Sequence, residues 1–169
     1  IAVPSQDIVL GLYYLTKSGL NRKGEGMRFS DKAEAIRAFE NDFVDLNANV
    51  YLKLEKGSQV YYTSFEKDTL CERDFDDDKG EMQFVAKKGE KVRLVKVLES
   101  TLIKTTVGRV FLNDIVPDVL GYANDLFSKK VIAKSVDDLY RKTGNRLTVE
   151  FLDQLKDLGY HWATRSGAG

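Results

Sequence analysis

Three features predict an α+β fold. An apolar helix succeeds a polar lead-in at the N-terminus, hydrophobic residues recur every second position from Asn47, and two capped helical stripes lie near the C-terminus. Together they predict helices flanking a small antiparallel sheet of about four strands, with an antiparallel helix pair closing the chain. The expected parts are an N-terminal helical region over 1–46, a strand region over 47–104 and a C-terminal helical region over 105–169.

The first stretch is Pro4-Ser5-Gln6-Asp7 followed by Ile8-Val9-Leu10-Gly11-Leu12-Tyr13-Tyr14-Leu15-Thr16. Pro4 holds the chain extended, and Ser5, Gln6 and Asp7 offer oxygens that accept from the free N–H groups of a first helical turn. The run from Ile8 to Leu15 is apolar on every side and is expected to be a core helix covered all round. It is too short to span a bilayer, which takes roughly 20 apolar residues.

Lys17 to Gly26 carries glycines among charges and reads as an exposed loop. Its Gly24-x-Gly26 is no phosphate cradle, because no strand precedes it and no Gly-Lys-Ser/Thr follows. Asp31-Lys32-Ala33-Glu34 has capping-box spacing, and Ile36, Phe39 and Phe43 recur at three and four, predicting an amphipathic helix over about 32–41. In Val50 to Glu55, apolar Val50, Leu52 and Leu54 alternate with Tyr51, Lys53 and Glu55, the pattern of a half-buried strand. Further runs at Gln59–Phe65, Met82–Ala86 and Lys91–Leu98, joined by short turns such as Lys56-Gly57-Ser58, predict an antiparallel meander.

Thr101 to Lys104 finishes the sheet, and Thr105 or Thr106 caps a short helix through Ile115, with Val107, Val110, Phe111 and Ile115 as its packed side. Arg109 stands near the start of that helix, where a cation does not complement the dipole. Two readings are open for it: a salt bridge to an acid such as Asp7, or a functional role. Ser128 caps the next helix, with a stripe of Val131, Ile132, Val136, Leu139 and Tyr140, and Gly144 stops it in the left-handed conformation. Thr148 caps the last, in which Phe151, Leu152, Leu155 and Leu158 pack and Gly159 is the stop. His161 has no nucleophile or ligand partner in the pattern and reads as a surface ring.

The totals exclude several classes of function. With 26 basic and 26 acidic residues there is no overall field to hold a nucleic acid or an anionic membrane. Cys71, the single cysteine, has no pairing partner and no second ligand nearby. No charged-then-apolar leader argues for export, and the start at Ile1 suggests a piece of something longer. No Ser/His/Asp or Cys/His set supports an independent enzyme.

Three blocks carry a family resemblance. Pro4 to Thr16 resembles the segment of the bacterial RNA polymerase β′ subunit that lies shortly after its catalytic magnesium-binding loop. Thr105-Thr106-Val107-Gly108-Arg109 through Pro117 resembles that subunit's Thr-Thr-Val-Gly-Arg block, and Phe151 to Gly167 resembles the segment downstream. The blocks occur in the family's order and cover most of the chain, while the middle, about 57–99, is longer than expected and poorly matched.

The resemblance implies a piece of the pore region that forms part of the secondary channel, in a cytoplasmic bacterial enzyme that copies DNA into RNA. Ser5, Gln6 and Asp7 would then support the active centre, and Thr105, Thr106 and Arg109 would line the nucleotide route. The implied partners are the rest of the β′ subunit, the other polymerase subunits and secondary-channel factors, with DNA, RNA and nucleotides met only in the full enzyme and no membrane. No cofactor is expected in this chain, and magnesium would be bound elsewhere in the subunit. Asp74-Phe75-Asp76-Asp77-Asp78 looks like the family's catalytic Asp-Phe-Asp-Gly-Asp, but it lies downstream of Pro4 to Asp7 and has Asp77 where glycine belongs. Lys79 and Val85 also depart from a calcium loop, so the run reads as a solvated hairpin tip. The isolated chain is therefore expected to be inactive. In some relatives the last helix contributes to an alarmone pocket; Arg146 and Asp153 match it, but Glu150 and Asp157 replace its apolar and aromatic residues, and the activity is not carried over. The alternative is a non-catalytic interaction module that docks a transcription factor or subunit through Tyr51, Tyr61, Tyr62 and Phe65.

Overall fold

The computed structural model of the chain describes residues 5–63, 80–87 and 90–166. Phe65, Cys71 and the acidic run at 74–78 lie outside the described residues. The first half contains α1 (Gln6–Thr16), β1 (Arg28–Phe29), α2 (Lys32–Glu40), β2 (Val50–Leu54) and β3 (Gln59–Tyr62). The second contains β4 (Gly80–Lys87), β5 (Glu90–Val97), β6 (Thr101–Thr105), α3 (Val107–Leu112), β7 (Tyr122–Ala123), α4 (Lys129–Thr143) and α5 (Asn145–Arg165). The α+β class is as predicted.

The strands do not form one meander. β2 leaves β3 and pairs antiparallel with β6, Val50 opposite Thr105 and Leu54 opposite Thr101, while β1 joins its other edge in parallel. The second sheet has the order β4-β5-β3-β7, with β3 antiparallel to β5 and parallel to β7. The alternation explains the choice of β6: Val50, Leu52 and Leu54 are buried opposite Thr105, Ile103 and Thr101, which are buried too, so both strands turn the same kind of face to the core.

Two cores result, and β3 is the wall between them. Val60 and Tyr62 face a sheet-side core with Leu52, Val95 and Ile103, whereas Tyr61 points the other way into a helical core with Leu12, Leu112, Phe127, Leu139 and Phe151. Phe39 and Phe111 border both cores, and with Trp162 and Tyr14 they form an aromatic cluster with centroids 5.4–6.4 Å apart.

α1 meets α5 backbone to backbone at two glycines. A Cβ on Gly11 would lie 1.8 Å from the Gly159 carbonyl oxygen, and one on Gly159 would lie 2.6 Å from the Ile8 oxygen. Gly159 therefore does not end the last helix, which runs on to Arg165. That helix also starts earlier than its threonine suggests: Gly144 precedes it, and Thr148 is buried one turn in, donating to the Gly144 oxygen at 2.8 Å. Gly144 has φ 84° and ψ −159°, a glycine region distinct from the left-handed helical one. Ser128 caps α4 as expected, accepting from the Val131 N–H, while Asp31 caps α2 by accepting from the Glu34 N–H at 2.8 Å. Glu34 does not reach back; it accepts from Ser30 Oγ at 2.6 Å, and Phe43, beyond the helix end, is exposed.

Candidate functional site

Helix α1 is not covered on all sides. Leu12, Leu15 and Thr16 are buried, but Leu10 is 44% and Tyr13 45% exposed. At its N-terminal end Ser5, Gln6 and Asp7 are exposed, and Ser5 occupies the cap position without a side-chain capping bond; its carbonyl accepts from the Val9 N–H at 3.0 Å. The expected capping oxygens are thus turned to solvent.

The other end of α1 is held tightly. A helix leaves its last four carbonyls without intrahelical donors. Of these, Tyr13 O accepts here from the Lys17 N–H and Tyr14 O from Asn47 Nδ2, each at 3.0 Å; on either side of the four, Leu12 O accepts from Thr16 Oγ1 at 2.7 Å and Lys17 O from Asn47 Nδ2 at 3.0 Å. Thr16 O accepts from Arg109 Nε at 2.9 Å, and Thr16 Oγ1 also accepts from the Phe127 N–H at 2.7 Å. The Arg109 guanidinium therefore sits at the negative end of the α1 dipole, a placement worth about 0.3–1 kcal/mol at exposed sites and up to ~2 when partly buried. The salt bridge to Asp7 is not formed. Asp7 lies at the opposite end of the same helix.

Arg109 Nη1 continues to Asn124, donating to its backbone oxygen at 3.1 Å and its Oδ1 at 3.3 Å. Asn124 Nδ2 donates to Lys104 O at 3.0 Å, tying the cluster to β6. Asn113 Nδ2 donates to Arg109 O at 2.7 Å and Ala123 O at 2.9 Å, while its Oδ1 accepts from the Ala123 N–H at 2.8 Å. Thr106 caps α3 by accepting from the Arg109 N–H at 3.2 Å, and Thr105 shares a 2.9 Å bond with the Tyr122 hydroxyl. Both threonines are buried, so on this chain they act from inside; α3 itself ends at Leu112, short of Ile115. Burial pushes the Tyr122 hydroxyl well above its ordinary pKa, against smaller opposing effects of Thr105 and Arg109.

A second polar group joins β3 to the helices. The Tyr61 hydroxyl donates to Asp138 Oδ2 at 2.5 Å, and Lys134 Nζ lies 3.0 Å from Asp138 Oδ1. Asp138 is 1% exposed. Two residues on, the N–H and Oγ1 of Thr63 donate to Asp125 Oδ2 at 2.8 and 3.0 Å. Desolvation, reinforced by the Asp138 charge, drives the Tyr61 pKa far upward. Tyr61 and Tyr62 are therefore core residues, and Tyr51 is half-buried, so the aromatic docking surface is not formed by them.

A cleft of about 400 Å³ opens between the sheets, with Leu54, Val116 and Tyr122 among its lining and Lys32, Lys53, Glu55 and Asp118 among its charges. His161 is exposed, as its sequence context predicts, and accepts from Arg165 Nε at 2.7 Å. Arg146, Glu150, Asp153 and Asp157 are all exposed along α5. Among the described residues no group of His, Cys, Asp and Glu is arranged to hold a metal ion, and no helix is long and apolar enough to cross a membrane.

The site thus brings Thr105, Thr106 and Arg109 together with the C-terminal end of α1, and leaves Ser5, Gln6 and Asp7 at the far end. Thr16, Asn47, Asn113 and Asn124 were not singled out by sequence. Asn47 had one signal, an amide between Leu46 and Ala48 ahead of a strand.

Over residues 1–169 the sequence matches the family described as RNA polymerase Rpb1, domain 3. It is 39% identical over 169 residues to the DNA-directed RNA polymerase subunit beta' of Coxiella burnetii (strain RSA 493 / Nine Mile phase I), covering 99% of this chain and 10% of that protein. The corresponding subunit of Salinibacter ruber (strain DSM 13855 / M31) is 36% identical over 167 residues, with 99% and 9% covered. That of Burkholderia ambifaria (strain MC40-6) is 39% identical over 167 residues, with 98% and 10% covered. The chain spans about a tenth of the length of these curated relatives.

Proposed function

The chain belongs to the RNA polymerase Rpb1 domain 3 family and is a domain of a β′-type subunit, and from that premise we propose that it supports the active centre of a bacterial DNA-directed RNA polymerase and contributes to the wall of its secondary channel. The observation that carries this reading is the asymmetry of α1. One end is bound into the domain by hydrogen bonds, while the other presents Ser5, Gln6 and Asp7, with Leu10 and Tyr13 about half exposed along the helix. A rigid helix offering polar groups at its free end can orient neighbouring elements, and the apolar face beside that end requires a cover.

In this reading the cover is the remainder of the β′ subunit, and the other polymerase subunits complete the assembly in the bacterial cytoplasm. Thr105, Thr106 and Arg109 serve as internal support for the nucleotide route. Nucleotidyl transfer and its magnesium belong to other parts of the enzyme; this chain supplies positioning.

The test is made in the assembled polymerase. Gln6→Ala with Asp7→Ala should lower the rate of nucleotide addition by on the order of tenfold, since small misplacements near a reacting centre are costly, while the subunit still assembles. Nucleotide addition at the wild-type rate would remove the active-centre role.

A further inference from the structure

The geometry points to Asn47 and Arg109 as a two-sided clamp on the C-terminal end of α1, so that both are positioning residues for RNA synthesis and Arg109 acts by holding the helix and not by setting the potential of the nucleotide route. This rests on the supporting role proposed above. Asn47 Nδ2 reaches Tyr14 O and Lys17 O, and Arg109 Nε takes Thr16 O between them. The two side chains come from segments that are themselves joined: the Gly108 N–H donates to Leu46 O at 3.0 Å, and Asn47 O accepts from the Gly19 N–H at 2.9 Å. Gly108 lets α3 approach so closely that a Cβ there would fall 1.6 Å from Leu15 O. Four consecutive residues of α1 and its exit, Tyr14 to Lys17, are thereby addressed by one unit built from 46–47 and 108–109.

Three features favour a mechanical role over a field in the nucleotide route. Nε is aimed at a helix carbonyl, and Nη1 at the main chain and side chain of Asn124. Asn47, which holds the adjacent carbonyls, is neutral and 7% exposed. The planar fork of arginine is what reaches Thr16 and Asn124 at once, and a lysine ammonium of equal charge does not reproduce it.

Arg109→Lys, Arg109→Ala and Asn47→Ala in the assembled polymerase test this. The clamp predicts that all three lower kcat for nucleotide addition by on the order of tenfold, leave the nucleotide KM within about twofold, and speed amide exchange along Val9–Thr16. Full rescue by Arg109→Lys, with Asn47→Ala silent, would overturn it and return Arg109 to an electrostatic role. Faster exchange in α1 with unchanged kinetics would overturn both the positioning role and the supporting role on which it rests. Unchanged exchange alongside slowed synthesis would overturn the clamp alone. If Asn47→Ala does not assemble, Arg109→Lys, which keeps charge and most of the volume, decides between the outcomes.

Discussion

Tyr61 places a hydroxyl against a carboxylate that has almost no access to water, and its consequences are those of a buried donor with a charged acceptor. Tyr61→Phe leaves Asp138 with Lys134 and removes one of its hydrogen bonds, so a loss of about 1–3 kcal/mol is expected in chemical denaturation at neutral pH. The pH dependence has a definite sign. Burial first, and the Asp138 charge second, raise the folded-state pKa of Tyr61 above the unfolded value near ~10. The contribution is therefore complete below about pH 10 and falls as pH rises past it, because the unfolded chain ionises while the folded one does not. Tyr61→Phe should flatten the alkaline decline in stability; an unchanged slope above about pH 10 would show that Tyr61 is not the group responsible. Tyr122, raised by burial as well, keeps part of the decline in place.

Among the elements, α1 is placed by three glycines that carry no side-chain contacts of their own. Gly11 and Gly159 let α1 and α5 meet backbone to backbone, and Gly108 does the same for α3 on Leu15. A methyl group at any of them collides with main-chain atoms that cannot rotate away. Gly159→Ala and Gly108→Ala should each destabilise by about 1–3 kcal/mol or more, the range of overpacking in a filled core. Gly26→Ala is the contrasting case: a Cβ there meets nothing within 4 Å, but its φ of +85° strains any L side chain, so a smaller loss is expected for a backbone reason. Equal thermal midpoints for Gly159→Ala and the parent would contradict the close approach. The same crossing explains why α5 continues past Gly159, a residue that in isolation reads as a helix stop.

At the scale of the whole molecule, two cores share β3 and the aromatic cluster, while one face of α1 remains outside both. Leu10 and Tyr13 form the part of that face most open to water. If the remainder of the subunit covers it, Leu10→Ser with Tyr13→Ser should cost the isolated chain no more than about 1 kcal/mol, roughly 0.5 for each surface position, and weaken assembly of the polymerase. A larger loss of stability in the isolated chain with normal assembly would place that face inside the domain.

The sequence by itself determined what is local or repetitive. The α+β class follows from periods of two and of three to four, the caps at Asp31 and Ser128 from residue type, and the family from three ordered blocks. The tertiary structure decided which strands pair, because Gly57 turns the chain between β2 and β3 without making them partners, and the choice of β6 depends on a match of buried faces between strands far apart in the chain. It also decided the roles of single residues. The distance in sequence from Asn47 to Tyr14, from Arg109 to Thr16 and from Tyr61 to Asp138 leaves no local pattern, and only the fold brings a donor to a carbonyl or carboxylate that burial has cut off from water.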